Sequence, residues 1–225
     1  SSDVGNRDSR RFKVFLGEQK VKKCQVVGMS QSGSTLLFNI VRLILKKSKT
    51  EHELTKGHEP HGSADFYIVS LRDIRDTTTS YYLKYNHCWL SAIGSAEKNV
   101  KWVKQCEALP KKKVLFYKYE DYQDDKIKQV KKLISFLKIK ELADGEIKEL
   151  ISEAEGIIQN APSSKANASQ TFYEDEAYKE TLMLKEHRTE NKGKVGGHKV
   201  YLSRDQNRVL LEDFLEWIHQ YEYKV

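Results

Sequence analysis

Short apolar runs alternate along the chain with segments whose apolar residues recur every three or four positions. The runs Cys24–Val27, Phe66–Leu71 and Val114–Tyr117 are too short for helices, and their β-branched and aromatic residues predict buried strands. A further strand is expected near Glu53–Lys56 and a short edge strand at Phe12–Leu16. Because segments of helical spacing separate most of these runs, the pattern predicts an α/β domain with a mostly parallel central sheet flanked by helices.

Amphipathic spacing marks the predicted helices. They are Ser34–Lys47, Ile74–Tyr85, Ser95–Leu109, Asp124–Leu137, Asp144–Ile158 and a last helix that follows Ser203. Ser203 and Gln206 have the spacing of a capping box, which indicates where that last helix begins. Residues 1–11 are expected to form a flexible N-terminus, and residues 12–225 a single domain. Within that domain, 161–199 is rich in Ser, Asn and Gly, and we expect it to be a mobile loop or lid.

Composition narrows the class of protein. The 225 residues are 39% hydrophobic, which is too apolar for a disordered chain. No run approaches about 18 apolar residues, so no membrane span is expected, and the first residues lack the apolar core of a secretion signal. Three scattered cysteines suit a reducing compartment, and we expect a cytoplasmic location. A net charge of +7 suggests an anionic partner without identifying it.

The segment Gly28–Thr35 (GMSQSGST) lies between a predicted strand and a predicted helix. Glycines at 28 and 33 have the spacing of a phosphate-binding P-loop, in which backbone N–H groups and a helix N-terminus bind anions. Ser34 stands where P-loop nucleotide triphosphatases have lysine, so chemistry at a γ-phosphate is poorly supported. An ordinary turn rich in Gly and Ser is the alternative.

Five segments together resemble one family. They are SQSGST at 30–35, LTKGH at 54–58, LRDIRDTTTSYY at 71–82, VLFYKYED at 114–121 and NKGKVG at 191–196. In this order they are similar to the motifs of sulfotransferases that use 3′-phosphoadenosine 5′-phosphosulfate (PAPS). That resemblance implies a P-loop-like three-layer domain and release of adenosine 3′,5′-bisphosphate (PAP), with no metal required.

The resemblance also assigns roles to residues. It implies that His58 is the base, that Lys56 stabilises the transferring group, and that Ser80 belongs to the same site. The residues expected to bind PAPS are Ser30, Gln31, Ser32, Gly33, Ser34, Thr35, Arg72, Ser80, Tyr119, Lys192 and Gly193. A strand-end arginine such as Arg72 suits a phosphate because it can donate two parallel hydrogen bonds. Asp76, in contrast, would repel an anion and is expected to orient its neighbours.

Departures from the family pattern bear on the acceptor and on catalysis. Gln31 replaces the basic residue of the phosphosulfate loop, and Asn191 replaces the arginine before Lys192. His58 follows Gly33 by only 25 positions, so we expect the segments that enclose a hydrophobic acceptor pocket in larger members to be missing. We therefore expect a small polar acceptor, a carbohydrate or a peptide, and neither a nucleic acid nor a membrane as partner.

Competing interpretations remain open at this level. Three neighbouring histidines, His52, His58 and His61, could be metal ligands, but they lack a metalloprotease pattern. A P-loop kinase or a non-catalytic protein that binds nucleotides or polyanions would also contain a loop of this kind. The sequence does not indicate the acceptor or the oligomeric state.

Overall fold

Four parallel strands form the central sheet of the computed structural model, which describes residues 21–85, 87–161, 180–183, 188–189 and 192–224. The strands are β1 (Lys22–Gly28), β2 (His52–Lys56), β3 (Phe66–Leu71) and β4 (Val114–Lys118). Their order across the sheet is β2-β1-β3-β4, and every neighbouring pair is parallel. The predicted fold class, a mostly parallel sheet flanked by helices, is therefore confirmed.

Helices cover both faces of this sheet. They are α1 (Ser34–Lys47), α2 (Ile74–Lys84), α3 (Trp89–Glu107), α4 (Tyr119–Asp124), α5 (Lys126–Phe136), α6 (Asp144–Gln159), α7 (His198–Tyr201) and α8 (Arg204–Gln220), with a short 3-10 turn at Lys111–Lys113. Helices α1, α5 and α6 contribute to one buried apolar cluster, and α2, α3 and α8 contribute to the other. Successive residues of the inner strands alternate between the two clusters, as Val26 and Val27 do, because side chains along a strand point to opposite faces. None of the helices in these ranges is long and apolar enough to cross a bilayer.

Most predicted elements lie within a few residues of the observed ones, and the differences are at their ends. Helix α3 begins at Trp89, six residues before the predicted start, and Asp125 rather than Asp124 caps α5 by accepting the N–H of Lys128. The capping box at Ser203 and Gln206 is present as predicted, with Ser203 Oγ and Gln206 Oε1 each accepting the other residue's N–H.

The largest difference in secondary structure lies after β4. The segment from Tyr119 forms a helical turn, so Glu120 and Asp121 do not continue the preceding strand, on which their side chains would point to opposite faces. Residues 1–11, the expected edge strand at Phe12–Leu16 and much of the expected lid at 161–199 lie outside the described residues.

The topology places the candidate site at one edge of the sheet. Because all four strands run in the same direction, their carboxyl ends at Gly28, Lys56, Leu71 and Lys118 meet at that edge. From β1 the chain continues to β2, which lies on one side of β1, and then crosses to β3, which lies on the other side. Open α/β sheets bind ligands at such a reversal of strand order.

Candidate functional site

The loop after β1 is shaped by two glycines with positive φ. Gly28 has φ +116°, and a side chain there would place its Cβ only 2.6 Å from the carbonyl oxygen of Ser70 on β3. Gly33, with φ +80°, is the N-cap of α1, whose first N–H groups have no intrahelical acceptor. The loop therefore turns sharply out of the sheet and presents the positive end of a 14-residue helix.

Two buried polar side chains hold this loop in place. Asn99 of α3 accepts the N–H of Ser30 at 2.7 Å, and its amide donates back to the carbonyl of Ser30 at 3.3 Å. Ser32 donates its hydroxyl to the carbonyl of Met29 and pairs with the hydroxyl of Ser70 at 2.8 Å. The Ser32 side chain is thus committed to the loop's own structure, and a ligand would meet Ser32 only through its backbone N–H.

His58 follows β2 and lies beside the loop. Its Nδ1 is 3.0 Å from the carbonyl oxygen of Gly28, and its ring stacks on Trp102 with centroids 4.4 Å apart. Burial lowers the pKa of His58, and the positive charge of Lys56 lowers it further, although the hydrogen bond to Gly28 opposes both. Since a carbonyl only accepts hydrogen bonds, Nδ1 carries the proton and the neutral ring has a free lone pair on Nε2.

Lys56 and Lys84 bring two ammonium groups to the same region. Lys56 ends β2, and Lys84 ends α2. The pKa of Lys56 is lowered, first by burial and then by the positive charge of Lys84. Both side chains border the same cavity as His58, so this end of the site is positively charged.

Arg72 directly follows β3 and is only 3% exposed. Its guanidinium donates to the carbonyls of Gln31 at 3.1 Å and Lys194 at 2.9 Å, and it lies 4.9 Å from the ring centroid of Tyr119. Its Nε is buried, and the described residues provide no hydrogen-bond partner for it. Arg72 thus joins the loop after β1 to the segment around Lys194 and retains an unused donor.

Asp76 holds the segment around Lys194 in place. It is fully buried, and its carboxylate accepts N–H groups from Gly196 at 2.7 Å and His198 at 3.0 Å, together with His198 Nδ1 at 2.8 Å. Burial by itself would raise the pKa of Asp76, but the hydrogen bonds from His198 and the charge of Arg72 outweigh burial and lower it. Asp76 therefore orients neighbouring groups, in agreement with the role expected from its charge.

Tyr119 lies between the two glycine-containing segments. A Cβ on Gly33 would come within 2.8 Å of the Tyr119 ring, and one on Gly193 within 2.5 Å of its hydroxyl. Both glycines have positive φ, so each segment approaches the tyrosine where a side chain would collide with it. The tyrosine ring therefore spaces the loop after β1 from the segment that contains Lys192.

Glu120 connects the ends of β3 and β4. Its Oε1 accepts the N–H of Asp73, the N-cap residue of α2, at 2.9 Å, and its Oε2 is buried without a partner among the described residues. Burial raises the pKa of Glu120 to about 7. Asp73 in turn forms a salt bridge with Arg75 at 2.6 Å, which commits the Arg75 side chain to the start of α2.

These elements border an open cavity of about 530 Å³, within the range of small-molecule sites. The residues predicted for the site that line it are Ser30, Gln31, Gly33, Ser34, Thr35, Lys56, His58, Arg72, Ser80, Tyr119, Lys192 and Gly193. The Ser32 side chain does not line it. The structure thus brings together residues from five separate segments of the sequence.

Sequence reasoning missed part of the lining. The additional residues are Leu36, Lys84, Tyr85, Gln123, Glu155, Ile158, Gln159, Met183, Arg188 and Thr189. Lys84 had a usable signal, because it lies one helical turn beyond Ser80 and on the same face of α2. Glu155 and Ile158 had none, since only the packing of α6 brings them to this edge.

The charges of the cavity are mostly positive. Among the described residues, the cavity is lined by one carboxylate, Glu155, and by five cations: Lys56, Arg72, Lys84, Arg188 and Lys192. Glu155 is paired with Lys126 at 2.5 Å. Within the described residues, no three His, Cys, Asp or Glu side chains form a cluster that could hold a metal ion. The site is therefore suited to a polyanionic small molecule.

The family model described as "Sulfotransferase domain" matches residues 65–222, well over half of the chain. The chain belongs to the sulfotransferase family. The matched range contains Arg72, Ser80, Tyr119 and Lys192, whereas the loop after β1 and His58 precede it. Comparison of this sulfotransferase with curated protein sequences gives no match.

Solved structures share the fold of this sulfotransferase. It is similar to the mouse sulfotransferase SULT7A1 complexed with PAP, with 18% identity, a TM-score of 0.63, and coverage of 88% of this chain and 84% of that chain. It is also similar to retinol dehydratase with androsterone and the inactive cofactor PAP, with 16% identity, a TM-score of 0.62, and coverage of 86% and 79%. A retinol dehydratase structure with retinol and PAP matches at 16% identity and a TM-score of 0.62, over 87% and 81%.

Proposed function

We propose that this sulfotransferase transfers the sulfuryl group of PAPS to a hydroxyl or amine of a small polar acceptor, with His58 as the base. The observation that carries the proposal is the hydrogen bond between His58 Nδ1 and the carbonyl of Gly28. It holds the ring in the tautomer whose Nε2 can accept a proton, beside a loop built for anions. The lowered pKa of His58 keeps that nitrogen unprotonated near neutral pH.

The cavity fits the charge of the donor. PAPS carries a 3′-phosphate and a 5′-phosphosulfate, and we assign the first to Arg72, Ser80, Lys192 and Gly193. Arg72 supports this assignment because its buried Nε lacks a partner among the described residues. The 5′ end is assigned to the backbone N–H groups of Gln31–Thr35 and the N-terminus of α1. The solved neighbours that contain PAP make the same ligand a reasonable test molecule here.

The proposed step breaks one bond to sulfur and forms another. The acceptor oxygen or nitrogen attacks sulfur, the bond from sulfur to the bridging oxygen breaks, and the acceptor proton passes to His58 Nε2. Lys56 stabilises negative charge on the transferring group and on the departing phosphate. Positioning of donor and acceptor in line supplies much of the remaining rate enhancement.

The acceptor is proposed to be small and polar. About 530 Å³ must hold the donor together with the reacting end of the acceptor. Most of the lining side chains are polar or charged, so the cavity offers few contacts to a large apolar acceptor. A carbohydrate hydroxyl or a peptide side chain meets both conditions. Retinol dehydratase, in contrast, was solved with retinol and with androsterone.

The test separates donor binding from transfer. We expect His58→Asn to retain PAP affinity within about threefold and to lose at least about a hundredfold in sulfuryl transfer, as removal of a general base does. Asparagine can keep the hydrogen bond to Gly28 because its amide nitrogen takes the place of Nδ1. His61→Asn is the matched control, since His61 is exposed and lies three residues away.

Two results would contradict the proposal. Full transfer activity in His58→Asn would remove His58 as the base. Binding of ATP with Mg²⁺ in preference to PAP without metal would favour a kinase instead. A screen of polar acceptors with PAPS, followed by mass spectrometry of the products, then identifies the acceptor.

A further inference from the structure

One face of α2 carries a series of polar residues toward the cavity. Asp76, Ser80 and Lys84 are spaced four residues apart, so they lie above one another on the helix surface. Asp76 holds the segment around Gly196, while Ser80 and Lys84 line the cavity. The series thus extends from the expected 3′-phosphate position toward the end of the site where Lys56 and His58 lie.

Lys84 belongs to the reacting end of the cavity. The pKa of Lys56 is lowered first by burial and then by the positive charge of Lys84, so the two ammonium groups interact across this end of the cavity. The ring of Tyr85 lies 5.3 Å from its ammonium group. Two like charges at one end of a site repel each other. An anion that binds between or beside them offsets this repulsion, so this end of the site favours anion binding.

The loop after β1 contributes no cation of its own. Residues 28–35 contain neither lysine nor arginine. Gln31 uses its backbone carbonyl to accept a hydrogen bond from Arg72, and its side chain is neutral. The negative charge of a group bound at this loop must therefore be balanced by side chains from other elements.

We propose that Lys84 is a catalytic residue that binds the sulfuryl group and supplies the positive charge that the loop lacks at Gln31. This inference rests on the proposed function and extends it. Lys84 donates hydrogen bonds to the sulfuryl oxygens while the bond from sulfur to the phosphate oxygen breaks and the bond to the acceptor forms. No proton or electron passes through Lys84, which acts as a fixed positive charge. Lys56 stabilises the negative charge that develops on the bridging oxygen.

Binding of PAPS and PAP tests this role, because only PAPS has the sulfuryl group. We expect Lys84→Met to weaken PAPS about tenfold and PAP less than threefold, as expected for loss of one charged hydrogen bond. Lys192→Met should weaken both ligands by similar factors, since Lys192 is assigned to the shared 3′-phosphate. Lys132→Met removes an exposed charge on α5 and should change neither affinity.

Transfer to water provides a second measurement that needs no identified acceptor. We expect Lys84→Met to lower PAP release from PAPS by about a hundredfold, and Lys84→Arg to recover at least a tenth of the wild-type rate. Placing a positive charge on the loop should also raise the rate of PAP release. Gln31→Lys in the Lys84→Met background should recover about tenfold, because Lys49, Lys138 and Lys192 already adopt the positive φ that position 31 requires.

Each outcome decides the proposal. Equal weakening of PAPS and PAP by Lys84→Met, or an unchanged rate, overturns the role of Lys84 while leaving the proposed function intact. Failure of Gln31→Lys to recover any activity shows that Lys84 does not replace a loop cation. If the wild-type protein binds neither PAP nor PAPS, the proposed function and this inference both fail.

Discussion

Replacing Glu120 by glutamine should stabilise this protein at alkaline pH. Glu120 Oε1 accepts the N–H of Asp73, an interaction that a glutamine oxygen reproduces. Its Oε2 is buried and has no partner among the described residues, so ionisation places a charge where little solvates it. The same site accepts a neutral amide without that penalty.

The magnitude follows from the pKa. Burial raises the pKa of Glu120 from its ordinary value of 4.5 to about 7, and each tenfold change in proton affinity is worth about 1.4 kcal/mol. Ionisation of Glu120 in the folded protein therefore costs up to about 3 kcal/mol. Because the folded pKa is the higher one, this cost is small below pH 4.5, grows as the pH rises, and is complete above pH 7.

Urea unfolding of the wild type and Glu120→Gln at pH 5 and pH 8 measures the effect. The stability of the variant relative to wild type should be about 2 kcal/mol more favourable at pH 8 than at pH 5. Any cost of burying the new amide nitrogen is the same at both pH values and cancels in this comparison. Glu97→Gln, an exposed substitution on α3, is the control and should show no such difference.

The refuting result is a relative stability of Glu120→Gln that does not change between the two pH values. It would mean that Glu120 is ionised at little cost in the folded protein. If the variant is instead less stable than wild type by a larger amount at pH 8 than at pH 5, the ionised carboxylate itself stabilises the end of β3.

Three other predictions concern the site. Asp76→Asn should cost about 2–3 kcal/mol in urea unfolding and weaken PAP in titration calorimetry, because the amide cannot accept all three hydrogen bonds. This cost should begin to shrink as the pH falls below the ordinary aspartate pKa of 3.8 and should be lost below the lowered pKa of folded Asp76; an unchanged PAP affinity would remove Asp76 as an organiser of the site. Gly33→Ala should displace Tyr119, since the new Cβ lies 2.8 Å from its ring, and reduce PAP affinity about tenfold or more; wild-type affinity would show that the loop can move away. The pH profile of kcat/KM should rise with pH as His58 loses its proton, with a midpoint below the ordinary histidine value of 6.5, because the pKa of His58 is lowered; a rise centred above 7 would contradict His58 as the base.

Local patterns determined much of this protein. The strands Phe66–Leu71 and Val114–Lys118 and the helix Ser34–Lys47 are visible as apolar runs and helical spacing, because burial of a strand or of one helix face requires those patterns. The loop Gly28–Thr35 was also identifiable, since its glycines adopt backbone angles that other residues avoid. The parallel direction of β1 with β2 and of β3 with β4 then follows from the helices between them, whereas no helix separates β2 from β3.

Contacts between distant segments could not be predicted. The pairing of Asp76 with the segment around His198 joins residues 122 positions apart, and nothing local to either segment indicates it. Tyr119 lies between Gly33 and Gly193 for the same kind of reason, and α6 brings Glu155 to the cavity only through its packing. These contacts depend on how whole elements pack, which no short stretch of sequence records.

The positive charges show most clearly which features the sequence determined and which the tertiary structure decided. The sequence by itself determined an excess of seven positive charges and a loop without a cation. The family resemblance predicted Lys56, Arg72 and Lys192 for one site, but only the tertiary structure decided that Lys84 and Arg188 border the same cavity. The physical reason is that the parallel sheet gathers the carboxyl ends of its strands at one edge, and the surrounding helices bring charges there from remote parts of the chain.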